Sequence, residues 1–162
     1  MPRPRPTGRP GWIGLGIWLA VTFAAAWVGS RFQPGEWYGG LIKPALTPPA
    51  WVFGPVWTLL YGMMATAAWL VCRRYGWANA IGPLGLFFGQ LALNALWSYL
   101  FFGLQRPGLA LLNIIALWLA ILATFMAFWG SHPPAGLLLL PYLFWVSFAS
   151  LLVPLYYRTL FQ

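Results

Sequence analysis

The sequence predicts an all-α fold, a polytopic membrane bundle of five transmembrane helices. Three observations carry that prediction: 61% of the 162 residues are hydrophobic, only 6% are charged, and the charges fall between long uncharged runs. A water-soluble domain usually has about a quarter of its residues charged, and nine Lys and Arg with one carboxylate do not clothe such a surface. With no Asp, and Glu36 as the only acidic residue, a Ser/His/Asp triad, a carboxylate acid/base pair and an EF-hand are excluded. One His (His132) and one Cys (Cys72) make neither a zinc cluster nor an intrachain disulfide. The net charge of +8 is scattered in ones and twos rather than gathered into a nucleic-acid-binding patch. Membrane lipid, not nucleic acid, is the expected surrounding.

Stretches free of Asp, Glu, Lys and Arg cover 10–30, 44–72, 75–105 and 107–157. A span takes about 20 apolar residues at about 1.5 Å each, so the first three hold one helix apiece. The fourth, of 51 residues, holds two, divided at Gly130-Ser131-His132-Pro133-Pro134, where chain breakers would strand backbone polar groups in hydrocarbon. The expected spans are 12–30, 51–72, 80–102, 108–129 and 135–157, forming one domain over 12–158. A basic, proline-rich lead over 1–11 precedes it and a short tail over 159–162 follows. Five crossings put the termini on opposite sides. Arg3, Arg5, Arg9, Arg73 and Arg74 then share one side, and Arg31, Lys43, Arg106 and Arg158 the other, a slight bias towards an N-terminus inside. The start also fits a signal peptide, with Ala24-Ala25-Ala26 as its cleavage site. Three Pro among the first six residues favour instead a basic lead anchored by anionic lipid ahead of a retained first helix. In that helix Gly16, Ala20 and Ala24 recur every fourth residue, a small face suited to close packing.

Residues 31–50 are too polar and too proline-broken to span. They contain Glu36, Lys43, four Pro and the Trp37-Tyr38 pair. Two readings fit: a functional loop, or an aromatic anchor at headgroup level. In the third span Gln90, Asn94, Trp97 and Phe101 stand at i, i+4, i+7 and i+11, one stripe of a helix. An amide is costly in lipid, so the stripe faces the bundle interior, either bonding neighbouring helices or lining a cavity. The second span offers Trp57 and Tyr61 at i, i+4, the fifth Pro141, Trp145 and Ala149, and the fourth Asn113. If these faces converge they make flat aromatic walls with a few amides, suited to a large apolar ring system; otherwise they are ordinary core. Gly85 and Gly89 form a GxxxG that permits close approach of a second backbone, and so a homodimer. No ionisable side chain falls clearly inside a span, which disfavours a proton- or sodium-coupled pump.

Three blocks give the chain its resemblance to a known family. The first is Glu36-Trp37-Tyr38, Leu41, Lys43-Pro44, Pro48-Pro49, Trp51-Val52-Phe53, Pro55, Trp57 and Tyr61. The second runs from Gly85 and Gly89 into Gln90-Leu91-Ala92-Leu93-Asn94, Trp97 and Phe101-Phe102-Gly103. The third is Pro141-Tyr142-Leu143, Trp145 and Phe148-Ala149. In these the chain resembles the tryptophan-rich sensory protein (TspO) family, whose mitochondrial members are called translocator protein or peripheral benzodiazepine receptor. The resemblance implies a five-helix protein, often dimeric, that binds protoporphyrin IX or haem as ligand, without an obligatory cofactor or metal. In many members it also implies cholesterol and benzodiazepine-type drugs.

By the same resemblance the first loop covers a pocket lined by Trp57, Tyr61, Asn94, Trp97, Trp145 and Ala149; the stripe on the third span adds Gln90 and Phe101 as candidate ligand contacts, and the loop itself adds Trp37, Tyr38 and Lys43. Porphyrin propionates are expected at Lys43, Arg31 or loop backbone donors. Some bacterial members are light-dependent porphyrin degraders, which makes Trp57 and Trp145 the photochemical candidates. A sterol-recognition pattern can be traced through Leu152, Tyr156 and Arg158. Where many members have Asp on the fourth helix this chain has Asn113, and Val153 stands where an Asn is common on the fifth. The expected role is sensing, carrying or regulating tetrapyrroles; the alternatives are an enzyme-like photodegrader and a passive sterol or lipid transporter.

Overall fold

A computed structural model describes residues 11–159; most of the basic lead and the tail beyond Thr159 lie outside the described residues. The elements are α1 (Trp12–Ser30), α2 (Glu36–Gly39), α3 (Ala50–Tyr75), α4 (Ile81–Ser98), α5 (Pro107–Ser131) and α6 (Pro133–Thr159). A π-helical turn, Tyr99–Gly103, continues α4. All but α2 are long and apolar enough to cross a membrane.

Local chemistry sets the ends. Pro107 opens α5, where its missing N–H costs nothing. Gly76 ends α3 at a positive φ (φ 76°, ψ 160°) that glycine alone adopts readily, while its N–H bonds the Cys72 carbonyl at 2.8 Å. The expected five-residue break at 130–134 is far shorter: α5 runs through Gly130 and Ser131, α6 begins at Pro133, and only His132 is extended (φ −157°, ψ 99°). A residue before proline is pushed out of the helical region, while prolines in a first turn are tolerated. One residue therefore suffices to reverse the chain. Just past the turn the α5 and α6 backbones touch, since a Cβ on Gly136 would lie 2.9 Å from the Trp129 Cα.

The five long helices form a ring in the order α1, α3, α6, α5, α4, with α4 closing back on α1. Small residues face inwards on α3 (Ala65, Ala67, Ala68) and let its neighbours close around Met64, Phe87 and Phe128. Large apolar side chains such as Ile13, Leu112, Phe144 and Leu151 point outwards, as a lipid-facing surface requires. Within the chain the small face of α1 is not used: Gly16, Ala20 and Ala24 are exposed, and the helix buries Trp18 and Thr22 instead. Bulky Trp18 fills the groove beside Phe87 and Phe88, which turns the small stripe outwards.

The starts of α1, α4 and α6 and the finishes of α3 and α5 share one end of the ring, the turn end, as the contacts of Trp69 with Gly11 and Tyr75 with Ser131 require. The opposite, loop end carries residues 31–49, including α2. Because α1 begins at the turn end and α6 finishes at the loop end, the chain crosses five times, as the charge-free runs predict.

Candidate functional site

Three helices send polar side chains into the middle of the ring. From α3 the Tyr61 hydroxyl donates to Asn94 Oδ1 on α4 at 3.0 Å. Asn94 Nδ2 donates to the Tyr142 hydroxyl on α6 at 2.6 Å. Tyr142 donates to Gln90 Oε1 at 2.8 Å, and Gln90 Nε2 reaches Met64 Sδ at 3.6 Å. The result is a single directed chain, Tyr61 to Asn94 to Tyr142 to Gln90 to Met64, with every member buried. It uses hydrogen-bonding capacity that would otherwise be stranded in a low-dielectric interior. Gln90 and Asn94 both contribute because they stand one helical turn apart on one face of α4.

One turn nearer the loop end, each of these helices adds an indole: Trp57 on α3, Trp97 on α4 and Trp145 on α6. Trp57 lies 5.7 Å from Tyr61 and meets Tyr142 edge-on at 6.2 Å. Trp145 lies between Phe53 and Phe148, each 5.9 Å away, with Ala149 half-buried one turn on. Trp97 stacks on Phe101 at 5.0 Å with the rings 10° from parallel. Among the described half-buried residues it alone packs against both apolar clusters, the main core and the smaller one under the loop. Its Nε1 is buried without a hydrogen-bond partner, a donor on which desolvation has been spent with nothing yet in return.

The loop closes over this storey through α2. Trp37 meets Phe101 at 5.7 Å and Tyr38 meets Phe102 at 5.5 Å. The π-helical turn, closed by Leu104 N–H to the Tyr99 carbonyl at 2.8 Å, brings both phenylalanines beneath α2. Tyr156 on α6 fastens the loop: its hydroxyl shares hydrogen bonds with Tyr38 at 3.1 Å and Thr47 at 2.9 Å. Burial and that bond raise the Tyr38 pKa above its ordinary value, so the phenol is neutral at physiological pH. Lys43 is exposed, its Nζ 4.8 Å above the Tyr38 ring, and the Arg31 guanidinium lies 5.2 Å above Trp27.

The structure thus brings together Trp37, Tyr38, Trp57, Tyr61, Gln90, Asn94, Trp97, Phe101, Trp145 and Ala149, with Lys43 on the loop above. Other expected positions fall elsewhere. Pro141 is exposed, so the α6 stripe begins at Trp145. Asn113 ties α5 to α4 through the Leu93 carbonyl at 3.0 Å. Gly85 and Gly89 are exposed on the outer face of α4, where an added Cβ meets nothing within 4 Å. Leu152 and Tyr156 are buried and Arg158 is exposed, so these three do not share one lipid-facing surface. Sequence reasoning assigned no role to Tyr142, the central hydroxyl, although it precedes Trp145 by three residues and so shares its side of α6. It also missed Thr47, for which no sequence signal exists.

A model of the TspO/MBR family matches residues 18–157. The chain is 43% identical over 149 residues to a translocator protein of Homo sapiens, an alignment covering 88% of each chain. It is 48% identical over 143 residues to a tryptophan-rich protein TspO of Chlorobaculum tepidum, covering 85% of this chain and 87% of the relative. Over 139 residues it is 40% identical to a tryptophan-rich sensory protein of Cereibacter sphaeroides, covering 86% of both.

Proposed function

The chain belongs to the TspO/MBR family and is an integral, multi-pass membrane protein, and from that premise we propose that it binds a flat tetrapyrrole, protoporphyrin IX or haem, beneath the α2 loop. Relatives named for translocation and for sensing support a sensing or transport role at that general level. The observation that carries the finer reading is the indole storey: Trp57, Trp97 and Trp145, one from each of three helices, above a polar floor and below a fastened cover. Indole faces suit the faces of a macrocycle, and the unpartnered Trp97 Nε1 suits an acceptor on the ligand. Propionates would reach Lys43 and Arg31 at the water boundary. The protein acts in this reading as a sensor, carrier or regulator of porphyrins, working as a homodimer through the open Gly85/Gly89 face. Sterol binding at the α6 residues is the weaker assignment, because Leu152 and Tyr156 are already engaged inside.

The test is titration of the purified protein with protoporphyrin IX in darkness, followed by illumination. Saturable binding with an unchanged spectrum in light supports the sensor or carrier. Pigment bands that form only with protein present move the assignment to photodegradation, with Trp57 and Trp145 as electron donors. Trp145→Phe keeps most of the apolar wall, so its binding should weaken by no more than about 1–2 kcal/mol. Trp145→Ala opens a void and should weaken binding further. Unchanged affinity in a folded Trp145→Ala protein would remove the pocket.

A further inference from the structure

Among the described residues the turn end carries two arginines and no acidic side chain. Arg73 and Arg74 close α3, while Glu36, the only Asp or Glu in the sequence, stands in α2 at the loop end. Both guanidinium groups are held in place. Arg73 lies 5.3 Å above the Trp69 ring, and Trp69 is fixed in turn by its N–H bond to the Gly11 carbonyl at 2.7 Å and by stacking on Trp12. Arg74 donates from Nη1 to His132 Nδ1 at 3.0 Å, across the gap between the end of α3 and the α5–α6 turn. With Nδ1 accepting, the neutral ring carries its proton on Nε2, a further donor.

The depth of this cluster is marked by indoles. Trp12, Trp77 and Trp129 are 72%, 55% and 46% exposed around the same end, the placement of an aromatic belt at the headgroup level. Three helices start here and two finish, so the backbone dipoles leave the end net positive. Two guanidinium groups fixed at headgroup depth, far from Glu36 in α2, match the charge of a phosphate diester.

We propose that Arg73 and Arg74, with His132 beside them, form a binding site for an anionic phospholipid headgroup at the turn end of the bundle. The site is independent of the tetrapyrrole reading, because it lies at the opposite end of the ring from α2. The bilayer is the source of the phosphate, since the flanking indoles set the arginines among headgroups rather than in open water.

The full chain in mixed phosphatidylcholine and phosphatidylglycerol micelles tests this, with retained lipid counted by native mass spectrometry. Phosphatidylglycerol should be retained preferentially, and R73Q/R74Q should lower that preference about fivefold for each charge removed. R106Q/R158Q, at the loop end, should leave it unchanged. Equal retention of the two lipids, or a preference that survives R73Q/R74Q, overturns the proposal. Displacement of the lipid by inorganic phosphate in large excess also overturns it, in favour of a free-anion site. Should R73Q/R74Q not fold, unmodified protein decides: phosphatidylglycerol with a photoreactive headgroup should label residues 69–77 or 129–135, and labelling confined to the loop end refutes the site.

Discussion

Tyr142→Phe deletes one oxygen from the middle of the buried polar chain and leaves the aromatic ring that meets Trp57. Two hydrogen bonds disappear, the 2.6 Å bond from Asn94 and the 2.8 Å bond to Gln90. Interhelical hydrogen bonds in membrane proteins contribute about 0.6 kcal/mol on average and up to about 1.7, so the pair is worth about 1–3 kcal/mol. Asn94 keeps the Tyr61 bond on its carbonyl oxygen, but its Nδ2 and the Gln90 Oε1 are left in a dry interior, which places the cost in the upper half of that range. For a chain of this length the loss lowers the unfolding temperature by about 4–10 °C. The assay is reversible unfolding in mixed micelles, followed by far-UV circular dichroism, for Tyr142→Phe, Gln90→Leu and the double variant. Because the two residues share a bond, the double variant should cost less than the sum by about 0.5–1.5 kcal/mol. A Tyr142→Phe protein as stable as the parent, or strict additivity with Gln90→Leu, refutes the hydrogen-bonded chain.

Tyr156→Phe removes the hydroxyl that fastens the loop to α6; hydrogen exchange at 36–47 should quicken about tenfold while the helices stay protected, and unchanged exchange would place the fastening elsewhere. Gly85→Leu/Gly89→Leu should lower the dimer fraction measured in detergent without impairing folding, since both positions are exposed and a Cβ added at either meets nothing within 4 Å; an unaltered fraction moves the interface. The His132 pKa is held below its ordinary value first by burial and then by Arg74. The unfolded chain therefore binds the proton first on acidification: stability present above about pH 6.5 is lost as pH falls through the folded value. Arg74→Gln should raise the His132 pKa part of the way back, read by NMR titration, and no upward movement would remove Arg74 as a cause.

The spans were legible because uncharged runs and proline positions are one-dimensional signals that need no partner. Even so, Gly130 and Ser131 read as breakers and are helical, because a helix tolerates both until the prolines beyond them force His132 to extend. The site was legible where its residues repeat on one helix, as Gln90 and Asn94 do. Periodicity names a face without naming what lies opposite, so it could group Trp57 with Tyr61 but not say that Tyr61 and Tyr142 both bond Asn94. The small stripe on α1 shows the same limit: small residues permit close approach on whichever face a neighbour takes, and within the chain Trp18 decides that face. Thr47 has no repeat at all, and its bond to Tyr156 spans 109 positions.

The closed order of the ring bears on how the protein is made. Helices leave the ribosome in sequence, yet α1 rests on α3 and α4, and α3 gains its second flank only from α6. Until α6 is inserted, Gln90 and Asn94 lack the Tyr142 hydroxyl, and α4 presents two amides towards lipid or towards the translocation machinery. The single-residue reversal at His132 shortens that interval, because α5 cannot settle far from α6 and delivers it directly against the open side. Insertion intermediates should thus be held by the machinery until the last helix arrives, and chains ending before residue 142 should be the ones that membrane quality control removes.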